Sequence, residues 1–144
     1  MSLVLRACLM GRRHIRVVGA MIEKDGGQYL ITQRPRTASL PLLWEFPGGR
    51  VQPGETDQEA LARELREEMG IEVEVKEEAI HLHHEYPQYD IDFRVFRCRL
   101  VSPDSGISHL RVNDHRWVTL DEMSQYRFPD ADARTIEKLL NSEQ

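Results

Sequence analysis

Apolar residues follow two rhythms along the chain. Between Thr56 and Gly70, Leu61, Leu65 and Met69 recur every four residues. At 3.6 residues per turn they form one narrow stripe, which predicts an amphipathic helix facing a core. Thr56 followed by Glu59 has the form of a capping box, and Gly70 is the natural stop where the chain needs positive φ. Elsewhere the rhythm is that of strands. The apolar, β-branched run 14–23 and the run 28–32 flank the polar loop Lys24–Gly27 and predict a hairpin. Glu72–Ala79 alternates, with Val73 and Val75 on one face, as expected of a short exposed strand, and Ile80–Tyr86 alternates less clearly. After a turn at Pro87–Asp90, the run Ile91–Val101 sets Ile91, Phe93 and Val95 on one face and Phe96, Cys98 and Leu100 on the other, the pattern of an interior strand. Arg116–Thr119 reads as a last strand and Leu120–Met123 as a helical turn, and Phe128-Pro129-Asp130 introduces a final helix with Ile136, Leu139 and Leu140 as its contact. Residues 37–47 lack clean alternation and are expected to form a loop, with Trp44 and Phe46 read as core aromatics. Ser108–Asn113 is polar and gives no assignment.

Composition narrows this picture to one domain. A chain of 144 residues, 40% hydrophobic and 30% charged, suits a single core. Residues 14–144 are read as that domain, and residues 1–13 as an N-terminal segment whose Ser2-Leu3 resembles an expression-vector remnant. Arg6 interrupts the apolar residues of the opening stretch, so neither a signal peptide nor a membrane span is expected. Cys8 and Cys98 are too few and too far apart for a disulfide framework, and reduced thiols in a cytoplasmic protein are the expectation. A net charge of −5 argues against a nucleic-acid-binding face. It would also repel a polyphosphate substrate unless metal and local arginines reverse the potential.

Candidate chemistry centres on the helix. Glu64, Glu67 and Glu68 stand at i, i+3 and i+4 and border the buried stripe rather than opposing it. Such a cluster is tolerated most easily with a cation between the carboxylates, and hard oxygen ligands suit Mg²⁺ or Mn²⁺. Composition alone would read the same residues as a solvated face with Arg63 and Arg66 as partners. Gly48-Gly49 lets backbone approach a ligand without a Cβ in the way. Arg34 and Arg36 at a strand end are read either as phosphate contacts or as solvent-facing groups. His81, His83 and His84 invite a zinc reading, but no third ligand has metal-site spacing, and solvated strand histidines are expected instead.

The spacing of Gly49, Glu55 and the run Arg63-Glu64-Leu65-Arg66-Glu67-Glu68-Met69-Gly70-Ile71 matches every fixed position of the Nudix box, and the chain resembles the Nudix hydrolases. It is most similar to MutT-like nucleoside triphosphate pyrophosphohydrolases, through Thr32-Gln33-Arg34, Trp44 to Gly49 and Phe128 to Asp132. The resemblance implies an α/β class fold, a Nudix α/β/α sandwich with a central mixed β-sheet. It makes Glu64, Glu67 and Glu68 the catalytic, metal-binding carboxylates together with the Gly48 carbonyl, and Arg34 a phosphate contact. Glu45, Phe46 and Pro47 would line the nucleotide pocket, with Tyr86 as a stacking partner or core tyrosine and Asp132 at a base-reading position. Gly49, Glu55, Arg63 and Gly70 would be structural within the motif, Arg63 holding the loop by pairing with Glu55 or a helix glutamate.

The implied reaction is Mg²⁺-dependent hydrolysis of a triphosphate such as 8-oxo-dGTP, CTP or methylated dCTP to monophosphate and pyrophosphate. Hydrolysis of nucleoside diphosphate sugars or dinucleoside polyphosphates is the alternative within the family, and a non-catalytic nucleotide sensor the alternative outside catalysis. The expected partner is a small nucleotide, with no nucleic acid and no membrane, for a monomer or homodimer. Two positions depart from the pattern. Arg111 stands where relatives often carry a glutamate, which leaves Asn113, Asp114 or a glutamate elsewhere to replace it. Asp132 stands where oxidised-guanine sanitisers have asparagine, and an acceptor-only carboxylate favours a base presenting a donor, as cytosine or guanine does.

Overall fold

The computed structural model describes residues 13–104 and 106–142. The expectations for Cys8 and for Ser2-Leu3 lie outside them. Strand β1 (Arg13–Lys24) is the axis of a seven-stranded mixed sheet among the described residues. Its first ten residues pair in parallel with β6 (Tyr89–Leu100), from Arg13 opposite Tyr89 to Ile22 opposite Cys98. Its other edge is shared between β4 (Gly48–Arg50) and, at its end, β2 (Gln28–Gln33), both antiparallel. β2 in turn pairs with β3 (Trp44–Glu45) and with β7 (Asp114–Val118), and β5 (Val73–Glu85) closes the sheet against β6.

Alternation along these strands builds two cores. Val18, Ala20 and Ile22 of β1 and Phe96, Cys98 and Leu100 of β6 pack with Ala60, Leu61, Leu65 and Met69 of helix α1 (Asp57–Met69) on one face. Met21, Phe93, Val95 and Leu82 pack with Ile136 and Leu139 of helix α2 (Asp130–Ser142) on the other. A helix on each face of a mixed sheet is the expected α/β sandwich. The capping box holds in both directions, and Gly70 takes a left-handed φ of 69°. Leu61, Leu65 and Met69 are fully buried. β6 is interior, as its two apolar faces require. Cys98 is buried, and desolvation pushes its thiol up to about 12. No helix among the described residues is long and apolar enough to cross a membrane.

Three elements differ from expectation. Residues 37–47 are not loop throughout: Trp44–Glu45 pairs with β2, and Phe46 is buried while Trp44 packs from the side, edge-on to Tyr126 at 5.1 Å. Segments 72–79 and 80–86 are one strand, β5. Register shifts between Val75 and Glu78 and between Glu78 and Ile80 break its alternation, because a bulge swaps the face of every residue beyond it. The last strand begins at Asp114, two residues before its apolar signal, and a 3-10 turn Asp121–Gln125 follows it.

Candidate active site

The acidic face of α1 is fixed by Arg63. Its Nε and Nη2 take both oxygens of Glu55 at 2.7 and 3.0 Å, Nη2 also reaches the Arg50 carbonyl at 3.0 Å, and Nη1 donates to Glu64 at 2.9 Å and Glu67 at 3.2 Å. The expected choice between Glu55 and a helix glutamate therefore resolves as both. Glu55 closes the turn by accepting from the Gln52 N–H at 2.8 Å. The Arg63 hydrogen bond, with that backbone N–H, holds its carboxyl below the usual range.

The two glycines before the helix are required by contact. A Cβ on Gly48 would stand 1.9 Å from the Val18 carbonyl oxygen of β1. One on Gly49 would stand 2.4 Å from Glu64 Cδ and 2.5 Å from its Oε2. The Glu64 carboxylate thus fills the space that a side chain at position 49 would need. Beside it, Glu68 is only partly buried as a residue, but its Oε2 is sealed from solvent with no hydrogen-bond partner. Desolvation, then the charges of Glu45 and Glu64, raise the Glu68 carboxyl well above its ordinary value, against a backbone hydrogen bond from Gly48. Desolvation raises Glu64 as well, opposed by Arg63.

These groups floor a cleft of about 760 Å³ between β1, the loop after β2, and the start of α2. Ile15, Val17 and Phe93 give it an apolar wall. Arg34 lines it but is already engaged: its Nη1 pairs with Glu45 Oε2 at 3.0 Å and its Nε donates to the Ser39 carbonyl at 2.7 Å, while Arg36 is exposed. Glu45 is raised by desolvation, which the Arg34 charge and hydrogen bond oppose. Asp132 is 7% exposed, accepts from the Phe46 N–H at 3.4 Å, and is raised well above the carboxylate range by desolvation and then by Glu45. Tyr86 and Tyr89 stack at 5.1 Å on the cleft rim, and the Ala131 N–H donates to the Tyr86 hydroxyl at 3.4 Å.

Not every expected residue reaches the cleft. Pro47, expected on the wall, is buried behind it, and its carbonyl accepts from Ala20 N at 2.8 Å. Glu67 turns toward Arg63 and Arg111, whose Nη1 is 3.4 Å away. Of the substitutes for the missing glutamate, Asn113 is bound to Gln33 at 2.7 Å and Asp114 to Arg116 at 2.7 Å, and neither lines the cleft. Glu45 does. Ser39 and Leu40, absent from the sequence reading, also line it. Leu40 and Leu42 hold positive φ values of 50° and 62°, which no apolar pattern signals.

A glycine turn, an arginine-clamped acidic helix and a two-layer core of this form define a family fold and site. The family model for the NUDIX domain matches residues 17–138, and the chain belongs to that family. It is 36% identical over 130 residues to the CTP pyrophosphohydrolase of Escherichia coli, covering 88% of this chain and 91% of that protein. It is 35% identical to the 8-oxo-dGTP diphosphatase of Haemophilus influenzae, with 92% and 96% covered. The structure of a MutT protein from Methanosarcina mazei superposes with a TM-score of 0.78 at 25% identity, covering 92% of this chain and 96% of that one.

Proposed function

We propose that the chain is a Nudix pyrophosphohydrolase that converts a nucleoside triphosphate, of the CTP, 8-oxo-dGTP or modified dCTP class, to nucleoside monophosphate and pyrophosphate. One observation carries the reading most directly: Glu64 and Glu68 converge on the Gly48-Gly49 backbone at the floor of the cleft, with Glu68 Oε2 buried and unpartnered. A buried acceptor without a partner costs about 1–3 kcal/mol, and several carboxyls gathered there raise one another's proton affinity. The donor set is all hard oxygen, which fits Mg²⁺, with Mn²⁺ as substitute.

Glu64 and Glu68, with the Gly48 carbonyl, are the groups that would hold the cation, and Glu67 would join them by turning away from Arg63 and Arg111. When bound, it supplies charge neutralisation at phosphate oxygens and acidifies water. The remaining work falls to the chain's own side chains. Arg34 is poised to exchange its Ser39 contacts for phosphate oxygens while keeping Glu45 in place. Glu45 or Glu64, both with raised proton affinity, takes the proton of the attacking water. Arg63 orients Glu64 rather than touching substrate.

Burial revises the reading of Asp132. Burial shifts Asp132 toward its protonated form, which both donates and accepts as an amide does, and that form is compatible with an oxidised guanine as well as with cytosine. Tyr86 and Tyr89 offer a stacked rim for the base. We read residues 14–144 as a single Nudix hydrolase domain, working in the cytoplasm as a monomer or homodimer on a small nucleotide. Incubating the purified protein with Mg²⁺ and a nucleotide panel tests the proposal: pyrophosphate from a triphosphate is the expected product. Sugar phosphate from a nucleoside diphosphate sugar, or binding without turnover, would overturn it.

A further inference from the structure

The polar segment Ser108–Asn113 has no rhythm of its own, and its structure comes from the end of α1 on which it lies. The last carbonyls of a helix have no partner within it and must find one elsewhere. Ser108 N donates to the Met69 carbonyl at 3.0 Å, and Leu110 N and Arg111 N both donate to the Glu68 carbonyl, each at 3.0 Å. Ile107 and Val112, at either end of this contact, pack against the core on the α1 side of the sheet. Glu68 is the penultimate residue of α1, in the turn where helices fray most easily. The segment therefore holds the turn from which the Glu68 carboxyl reaches the cleft.

One side chain ties this segment to a second loop of the cleft. Asn113 N donates to the Gln33 carbonyl at 2.9 Å, and Asn113 Nδ2 donates to Gln33 Oε1 at 2.7 Å. The other half of that carboxamide, Gln33 Nε2, donates to the Leu42 carbonyl at 3.2 Å. Leu42 closes the loop that follows β2, its N–H donating to the Arg34 carbonyl at 3.1 Å. Within that loop the Ser39 carbonyl and hydroxyl accept from Arg34 Nε at 2.7 Å and Nη2 at 3.2 Å. Leu42 is held at a φ of 62°, a conformation that a residue with a side chain keeps only where its surroundings fix it. Ser39 and Leu40 line the cleft from this loop, and Leu110 and Arg111 line it from the other, whereas neither Gln33 nor Asn113 does.

We propose, taking the pyrophosphohydrolase reading as given, that Gln33 is a positioning residue: its carboxamide couples the loop that presents Arg34 to the segment that caps α1 at Glu68. The phosphate-facing and metal-facing groups then hold their places together. A carboxamide accepts and donates at once, which a carboxylate, an ammonium or a hydrocarbon chain does not. The two ties can therefore be broken separately. Asn113→Ala frees the α1 cap and leaves Gln33 on Leu42. Asn113→Asp does the reverse. Its carboxylate only accepts, so the Gln33 amide must turn its nitrogen toward position 113 and its oxygen toward the Leu42 carbonyl, releasing a loop that Asn113 does not itself touch.

The test compares these two variants and Gln33→Met, which adds no charge and removes both ties; both residues lie outside the two cores. Asn113→Ala should speed hydrogen exchange at the Leu110 and Arg111 amides in the metal-free chain. It should also weaken Mn²⁺ binding by about 2–10-fold, the range of one net hydrogen bond, with little change in KM. Asn113→Asp should keep wild-type exchange and Mn²⁺ affinity but raise KM by about 2–10-fold, seen equally in the Kd of a non-hydrolysable α,β-methylene triphosphate. Gln33→Met should show both effects, and adding Asn113→Ala to it should cost less than about twofold more. Wild-type exchange in Asn113→Ala, wild-type nucleotide affinity in Asn113→Asp, or additive losses in the double variant would each overturn the assignment. Failure of the wild type to release pyrophosphate would count against the catalytic reading alone, because exchange and analogue binding decide the coupling without turnover.

Discussion

Replacing Gly49 by alanine isolates the placement of one carboxylate. The added methyl would stand 2.4, 2.5 and 2.8 Å from the three carboxyl atoms of Glu64, where ordinary contact begins at 3.4 Å. The carboxyl must retreat by about 1 Å, and in doing so it leaves the 2.9 Å contact with Arg63. A misplacement of about 1 Å at a reacting group costs on the order of 10²-fold, or about 2.7 kcal/mol of transition-state stabilisation. The moving atoms are the end of a side chain, so Tm should fall by no more than a few degrees. Gly48→Ala is the contrast: its methyl meets the Val18 carbonyl at 1.9 Å and the Gly19 Cα at 2.9 Å, both backbone of β1. No rotamer relieves that, and a stability loss of about 4 kcal/mol or more is expected. Pyrophosphate release with Mg²⁺ measures kcat/KM, and thermal melts measure stability. On a Glu64→Ala background the Gly49→Ala change should cost less than about twofold, because its partner is gone. Wild-type kcat/KM in Gly49→Ala, beside an inactive Glu64→Ala, would refute the working position given to Glu64.

Glu68→Gln should abolish turnover. Its carboxyl holds a proton more tightly in the folded chain than its ordinary value of 4.5, so its contribution to stability is present below that value and lost as pH rises through the folded one. In chelator, the variant should therefore melt above wild type at neutral pH and converge with it near pH 4, roughly the ordinary carboxylate range; melts that never separate contradict the buried placement. Arg34→Ala removes the charge and hydrogen bond that restrain Glu45, so the acid limb of the kcat/KM profile should move to higher pH. An unmoved limb would exclude Glu45 as the base. Arg111 is 69% exposed and meets Glu67 at 3.4 Å, so Arg111→Ala should change stability by less than about 0.5 kcal/mol and kcat by less than about threefold. A hundredfold drop would instead place Arg111 on the substrate.

What could be read from the chain depended on how local each signal was. Helix α1 was legible because its cap, stripe and stop lie within fifteen positions, and the carboxylate spacing came with it. β6 was legible because both of its faces are apolar. β5 was legible only in its first half, since two register shifts beyond Val75 erase the period that would carry the strand on to Glu85. β3 and β4 are too short, at two and three residues, to show any period. At the site, Arg34 and Glu45 were each singled out separately, but their pairing depends on Thr32 standing opposite Glu45 in the sheet. The acceptor-only reading of Asp132 rested on an ionised carboxylate. Burial beside the Phe46 N–H, which no local pattern announces, shifts the carboxyl toward its protonated form.

The parallel pairing of β1 with β6 also sets the order in which the chain can fold. Its contacts join residues 13–22 to residues 89–98, so the central ladder waits for a loop of about seventy-five residues to close. During synthesis α1 can form from its own caps while β1 still lacks its partner strand. The acidic helix would then exist before the sheet that buries it, with its apolar stripe exposed until β6 has been made. Refolding should accordingly be slow for a chain of this size, and variants that weaken the β1–β6 ladder should lower yield more than they lower activity per folded molecule.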